Sequence, residues 1–393
     1  MEIPSFIRDK LPKLVPQDYS DDDTSSSDDS LPSCSYEMAQ VKSLERFRET
    51  SSTFPLHVPR FKGDLSLGQP LGEGSFGIVR QVNNTDYVVK QLHSKHLRKG
   101  DVKRWRQAIV DFETEKRILA CVHHPHIVQF YGTIPTDSSS FVMECLYDAL
   151  EGQLDAWRRK HLQKHYYQQK NTFEYSKMDH SRLQIALEIA SALKYLHENQ
   201  IMHRDVKPGN IAFDKTGRAK LYDFGLARQL HSNPTNKTTL KHYTAACGSP
   251  RYMAPEVAKG EAYNESCDVY SFSLLLWELL TLEKPYNELS TWTMRQQVWC
   301  DGPQKRPWIH QNWPVSIQTI LELSWSDIVR GRPSMSAVYS SLNEIVISNV
   351  WWTRDENEER RDCQSSPVST KKNGSREGYT FIEERLDPFP FEQ

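Results

Sequence analysis

Eight consecutive residues, His203-Arg204-Asp205-Val206-Lys207-Pro208-Gly209-Asn210, place a carboxylate, an ammonium and a side-chain amide in one short window. Eighteen residues after Asp205, Asp223-Phe224-Gly225 adds a second carboxylate. Phosphoryl transfer needs such a set: a carboxylate to orient the attacking hydroxyl, a cation facing the phosphate, and hard oxygen ligands for magnesium on the nucleotide. Asp205 is the candidate base, Lys207 the candidate phosphate-facing cation, and Asn210 and Asp223 the candidate metal ligands.

The pattern HRDxKxxN followed by DFG resembles the protein-kinase signature set. A glycine loop lies upstream, Leu71-Gly72-Glu73-Gly74-Ser75-Phe76-Gly77-Ile78-Val79. Glycines let backbone amides approach phosphate oxygens with no side chain between. A dinucleotide fold is the rival for such a loop, but it needs a helix straight afterwards. Here a second strand-like segment follows, with Lys90 thirteen residues past Gly77, so a β-hairpin covering ATP is expected.

The resemblance implies further roles. Lys90 would neutralise the α- and β-phosphates and pair with a glutamate on the next helix, Glu115, with Glu113 as runner-up. Met143-Glu144-Cys145-Leu146 resembles the hinge whose backbone reads adenine, through the Glu144 carbonyl and the Leu146 amide. Cys247 to Glu256 resembles the end of an activation segment. There Ser249 would bond Asp205 and Lys207, Glu256 would pair with Arg332, and Asp268 would brace the catalytic-loop backbone. An arginine preceding the base pairs, in the family, with a phosphate on that segment. Control by an upstream kinase is therefore expected, with Thr235, Thr238, Thr239, Tyr243 and Thr244 as candidates and a segment ordered by its own packing as the alternative. Lys207 in the DxKPxN form resembles serine/threonine enzymes, whereas DVYSFSLLLWEL and the late RP pairs are similar to the tyrosine-kinase-like group. Ser273 departs from the glycine that related sequences often carry.

The expected activity is an ATP- and Mg2+-dependent serine/threonine kinase acting on protein substrates. A dual-specificity enzyme and a pseudokinase scaffold are the alternatives. No nucleotide or metal position of the motif set is lost, which argues against the scaffold. Ala254-Pro255-Glu256 argues for a protein acceptor over a small molecule.

These residues must be positioned by a bilobal α+β fold, a small β-rich lobe followed by a larger α-helical one. Short β-branched and aromatic runs at Tyr87 to Val89, Ile127 to Tyr131 and Phe141 to Cys145 read as strands. Asp111 to Cys121 reads as a helix. Ser181 to Gln184 reads as a capping box, opening a helix faced by Leu183, Leu187, Ala190 and Leu193. Asp268 to Leu280 is apolar on nearly all sides, as a helix at the centre of a lobe would be.

The domain is expected over residues 59–348, with the N-lobe at 59–143, the hinge at 144–148 and the C-lobe at 149–348. Residues 1–58, with DYSDDDTSSSDDS, are too polar to offset chain entropy and read as a disordered arm, and 349–393 as a polar tail. The basic stretch Ala156 to Lys177 reads as a solvated helix and insertion, or as a docking surface for an acidic partner.

The chain's 393 residues carry 49 basic against 51 acidic side chains, so nothing global points to nucleic acid or a membrane surface. Seven scattered cysteines, no apolar run near membrane-spanning length and a charged N-terminus lead to an expected cytoplasmic or nuclear protein with reduced thiols. The oligomeric state has no signature.

Overall fold

The five longest strands precede the hinge and most of the helices follow it. The computed structural model describes residues 58–63, 65–73, 77–92, 102–135, 137–168, 180–230, 240–301 and 304–348. All belong to one compact unit, Phe54–Gln393, while the other unit, Met1–Thr53, lies outside the described residues. So do Gly74, Ser75 and Phe76, the candidate phosphosites Thr235, Thr238 and Thr239, residues 169–177 of the basic stretch, and the polar tail.

The N-lobe holds β1 (Leu67–Glu73), β2 (Gly77–Val82), β3 (Tyr87–Leu92), α1 (Val102–Leu119), β4 (Phe130–Ile134) and β5 (Asp137–Glu144). Its five strands form one antiparallel sheet ordered β1-β2-β3-β5-β4. Val88 and Val89, adjacent on β3, are both buried because the sheet is covered on both faces. Val88, Phe141 and Met143 join the main core, while Val89 packs with Val82 and Val142 under Phe61, Leu65 and Tyr87.

Residues 59–61 run parallel to the outer edge of β4. Phe61 N–H donates to Thr133 C=O (2.9 Å) and Thr133 N–H to Pro59 C=O (2.8 Å). Gly132, at φ +138°, makes room for this strap, since a Cβ there would lie 2.6 Å from Phe61 N. The exposed edge of the sheet is thereby closed.

The expected strand at Ile127 to Tyr131 is corrected to Phe130–Ile134. Ile127 instead bridges Leu221 in the other lobe, with Val128 N–H donating to Leu221 C=O (3.0 Å) and Leu221 N–H to His126 C=O (3.0 Å). The expected helix at Asp111 to Cys121 starts earlier, at Val102.

After the hinge come β6 (Tyr147–Ala149), α2 (Leu150–Gln168), α3 (His180–Glu198), β7 (Ile201–Met202), β8 (Ile211–Phe213), β9 (Ala219–Leu221) and β10 (Arg228–Gln229). Then follow α4 (Pro255–Lys259), α5 (Ser266–Thr281), α6 (Thr291–Gln297), α7 (Val315–Ser324) and α8 (Met335–Ser348). Every residue of α5 is buried, the placement that its all-round apolar pattern predicts. Ser273 fits there by donating its hydroxyl to Tyr270 C=O (2.7 Å), which satisfies a polar group the family position usually lacks.

The α3 face is as expected, with Leu183, Leu187, Ala190 and Leu193 buried. The capping box is corrected: α3 already begins at His180, and the Gln184 amide reaches forward to Glu188 (3.2 Å). The described part of the basic stretch is helical with Arg159, Lys160 and Gln163 exposed, as the solvated reading expects, and Arg158 is the exception. From α2 it pairs with Asp155 (2.7 Å) and with the buried Glu278 of α5 (2.5 Å). Among the described residues no helix is long and apolar enough to cross a membrane.

Candidate active site

Asp268, at the start of the buried helix α5, fixes the backbone of the catalytic loop. Its carboxylate accepts from His203 N–H (2.7 Å), Arg204 N–H (2.7 Å) and the His197 ring (3.0 Å). Burial works against a charge at Asp268, but these donors and the two imidazoles hold its carboxyl below the ordinary range. Pinned in this way, Arg204 is kept at φ +68°, a left-handed conformation costly for a side-chain-bearing residue. His203 is fully buried and meets the Phe224 ring edge-on at 4.9 Å, tying the loop to the segment of Asp223.

With the loop fixed, three groups converge on Asp205. Lys207 Nζ donates to Asp205 Oδ2 (2.7 Å), Asn210 Nδ2 to the same oxygen (2.9 Å) and to Asp205 C=O (2.8 Å), and Ser249 N–H to Asp205 Oδ1 (2.8 Å). Burial raises the Asp205 carboxyl, but the Lys207 ammonium and the donors around it prevail and hold it below the ordinary value. Asp205 is therefore ionised at neutral pH and able to accept from a substrate hydroxyl. The Ser249 hydroxyl takes a hydrogen bond from Lys207 Nζ (2.7 Å). The expected bridge thus exists in divided form, with the hydroxyl on Lys207 and the backbone amide on Asp205. Gly248 permits it at φ +100°, since a Cβ there would stand 2.5 Å from Arg204 C=O.

The second convergence is at Lys90 on β3. Its Nζ lies 2.5 Å from Glu115 Oε2 on α1 and 3.8 Å from Asp223 Oδ1. Glu113 is excluded as the partner because it pairs along the helix with Lys116 (2.5 Å). Burial pushes the Glu115 carboxyl up to about 7 against the pull of Lys90. Lys90→Met should therefore cost little stability, because the stranded Glu115 takes a proton. Activity should fall about 10²-fold or more, the loss typical of removing a preorganised charge from a transition state. A melting curve beside a rate measurement checks both.

Asp223 sits at φ +63° with its side chain about half exposed (47%), and Tyr222 N–H donates to Asn210 C=O (3.0 Å). Asn210 spends its amide nitrogen on Asp205, so Oδ1 is the atom it could offer to a metal. Among the described residues no group of three or more His, Cys, Asp or Glu could hold a metal by itself. A donor set of one carboxylate and one amide oxygen suits magnesium, which keeps waters and takes further oxygens from nucleotide phosphates.

β1 and β2 form the expected hairpin, pairing Glu73 with Ile78 across the loop and Val79 with Lys90 on the next strand. Leu71 and Gly72 lie on β1, and Gly77 and Val79 on β2. The hinge follows β5 directly, with Met143 buried in the core. The Glu144 side chain, which sequence reasoning left without a role, accepts from Lys220 Nζ (2.7 Å) and from Gln129 N–H (3.1 Å). Cys145 N–H donates to Asp86 C=O (2.9 Å), so the hinge that precedes Leu146 is held from outside.

Glu256 and Arg332 form a bidentate buried pair, at 2.6 and 2.8 Å. Two further positions escaped sequence reasoning. Tyr252 O–H donates to Glu278 (2.5 Å), and Tyr263 O–H meets Arg204 Nη1 (3.1 Å). Their partners stand 26 and 59 residues away, too far for any local pattern to register.

The family model described as "Protein kinase domain" matches residues 65–342. A probable serine/threonine-protein kinase of Dictyostelium discoideum is 31% identical over 290 residues, 72% of this chain and 28% of the relative. Serine/threonine-protein kinase CTR1 of Arabidopsis thaliana is 31% identical over 293 residues, 73% of this chain and 32% of the relative. Human mitogen-activated protein kinase kinase kinase 7 is 29% identical over 294 residues, 72% of this chain and 42% of the relative. The chain spans less than half the length of these relatives.

Proposed function

The chain belongs to the protein kinase family, and from that premise we propose that it transfers the γ-phosphoryl group of ATP to serine or threonine hydroxyls of proteins. The observation that carries this reading is Asp205, ionised and within hydrogen-bond distance of Lys207, Asn210 and the Ser249 amide at once.

Each residue then has a task. Asp205 orients the substrate hydroxyl and takes its proton late in transfer, as the bond to the γ-phosphorus forms and the bond to the leaving ADP oxygen breaks. Lys207 would face the γ-phosphate, Lys90 would neutralise the α- and β-phosphates, and Asn210 and Asp223 would hold Mg2+. When bound, that ion neutralises charge on the phosphates. The backbone of Glu144 and Leu146 reads adenine.

Lys207 bonded to the Ser249 hydroxyl supports a serine/threonine acceptor in the tyrosine-kinase-like group. This arrangement ties the peptide platform close to the base, and a short side chain can bring its oxygen within about 3–3.5 Å of the phosphorus. Two of the relatives, from Dictyostelium discoideum and Arabidopsis thaliana, are named serine/threonine-protein kinases, which supports the same acceptor. An upstream kinase acting between Arg228 and Ser249 would supply a phosphate for Arg204. Free thiols at Cys121, Cys145, Cys247, Cys267 and Cys300 suit a reducing cytoplasmic or nuclear setting.

Incubation with labelled ATP, magnesium and mixed proteins should put label on protein, and phosphoamino-acid analysis should find phosphoserine and phosphothreonine. Mainly phosphotyrosine would overturn the acceptor assignment, and no label on any protein would overturn the activity.

A further inference from the structure

One buried side chain, outside every motif of the catalytic set, touches both the catalytic loop and the segment that carries Ser249. Tyr263 lies between α4 and α5 and is fully buried. Its backbone exchanges hydrogen bonds with Lys241, N–H to C=O at 2.9 Å and the reverse at 3.1 Å. Its hydroxyl donates to Thr244 C=O (2.9 Å) and receives Arg204 Nη1 (3.1 Å), with Cys247 Sγ at 3.7 Å. Its ring packs on Tyr243 with centroids 5.3 Å apart. Burial holds this phenol far above its ordinary pKa, so it stays protonated and keeps the proton that it donates to Thr244.

On the other side of that contact, Arg204 is held by further hydrogen bonds. Its Nε donates to Leu226 C=O (2.6 Å), its amide to Asp268, and it directly precedes Asp205. Downstream, Ala246 N–H donates to Val257 C=O (2.8 Å), and the chain then turns through Gly248 to Ser249. The segment from Lys241 to Ser249 is thus held at its start by the Tyr263 backbone, at its middle by the Tyr263 phenol and at its end by Asp205 and Lys207.

We propose that Tyr263 is a positioning residue for the protein acceptor: its phenol joins Arg204 to Thr244 and sets the platform around Ser249 before any phosphate reaches Arg204. The inference rests on the protein-kinase reading and deepens it. The phenol is a neutral group placed to do part of what a phosphate on this segment would do, at the same guanidinium. It touches none of the groups assigned to ATP or magnesium, so its effect should fall on the acceptor side of the reaction.

Tyr263→Phe keeps the ring and removes the hydroxyl contacts to Thr244, Arg204 and Cys247. With folding confirmed by thermal melting, kcat/KM for the protein substrate should fall about tenfold or more, the loss expected for a hydrogen bond to a charged group. KM for ATP and the slow hydrolysis of ATP without protein should stay within about twofold, because the phosphate-handling residues are untouched. Unchanged protein transfer would overturn the proposal, as would a parallel loss of ATP hydrolysis, which marks a merely structural role.

A second measurement uses the unmutated chain after phosphatase treatment. The amides of Lys241, Tyr263 and Ala246 should exchange slowly with solvent, and rapid exchange at all three would overturn the anchor. If the unmutated chain transfers no phosphoryl group, the kinase reading fails, while the exchange experiment still decides the anchor.

Discussion

Asp223→Ala should abolish phosphoryl transfer, and Asp205→Asn should slow it by about 10²–10⁴-fold, the range lost with a positioned general base. The two losses have different causes. Asp223 is the carboxylate of the proposed Mg2+ pair, so alanine would leave Asn210 to hold the ion with one amide oxygen and removes the negative partner 3.8 Å from Lys90. Asn at 205 keeps the size and some of the hydrogen bonds but loses the charge that attracts Lys207 and receives the proton. Both variants should fold, because Asp223 is half exposed and the amide at 205 can still accept from Ser249 N–H. Rates measured on folded samples decide: Asp223→Ala within a few-fold of the unmutated chain would sink the metal assignment, and the same result for Asp205→Asn would sink the base.

Breaking the Glu256–Arg332 pair should do the reverse, costing fold and sparing chemistry. The two side chains are 2% and 0% exposed, and their bidentate contact is backed by Arg332 Nε donating to Ser326 C=O (2.9 Å) and Nη1 to Ser266 C=O (3.1 Å). The guanidinium also sits 5.1 Å from the centre of the Tyr270 ring. Arg332→Met strands a carboxylate in the core, which typically costs about 3–5 kcal/mol. In a domain of this size the melting temperature should fall by roughly 10 °C. Glu256→Leu combined with Arg332→Met should recover part of the loss, since an apolar pair of similar volume has no charge to desolvate. At a temperature where both proteins are folded, turnover should stay within a few-fold of the unmutated value. A melting temperature unchanged by Arg332→Met would show that the pair is not what holds α4 to the rest of the lobe.

Much of the site was legible because its chemistry is local. Asp205, Lys207 and Asn210 fall within six residues, and the backbone that brings Lys207 Nζ and Asn210 Nδ2 onto one carboxylate is itself a short-range structure. Lys90 with Glu115, Glu256 with Arg332 and Asp268 with the catalytic loop were named from resemblance, and each pair meets within hydrogen-bond distance. The β-hairpin over the glycine loop followed from a strand-like run where a dinucleotide fold needs a helix.

What stayed hidden was set by partners far along the chain. The Glu144 side chain gained a role through Lys220, 76 residues away, although its neighbours in sequence suggested only a backbone contact. Arg158 lay in a run that reads as solvated, yet Glu278, 120 residues on, draws it into a buried network with Tyr252. Ile127 has the composition of a strand, but its neighbours His126 and Val128 exchange backbone hydrogen bonds with Leu221 in the other lobe, and β4 starts three residues later.

By itself, then, the sequence determined the family, the two-lobed order and the candidate residues for nucleotide, metal and proton, because motif spacing and apolar period are local properties of a chain. The exclusion of Glu113, the split contact of Ser249 and the bonds of Tyr263 to Lys241 and Thr244 were decided by tertiary structure. Each depends on which of several chemically equivalent groups the packing of distant elements brings within about 3 Å, and no local pattern encodes that distance.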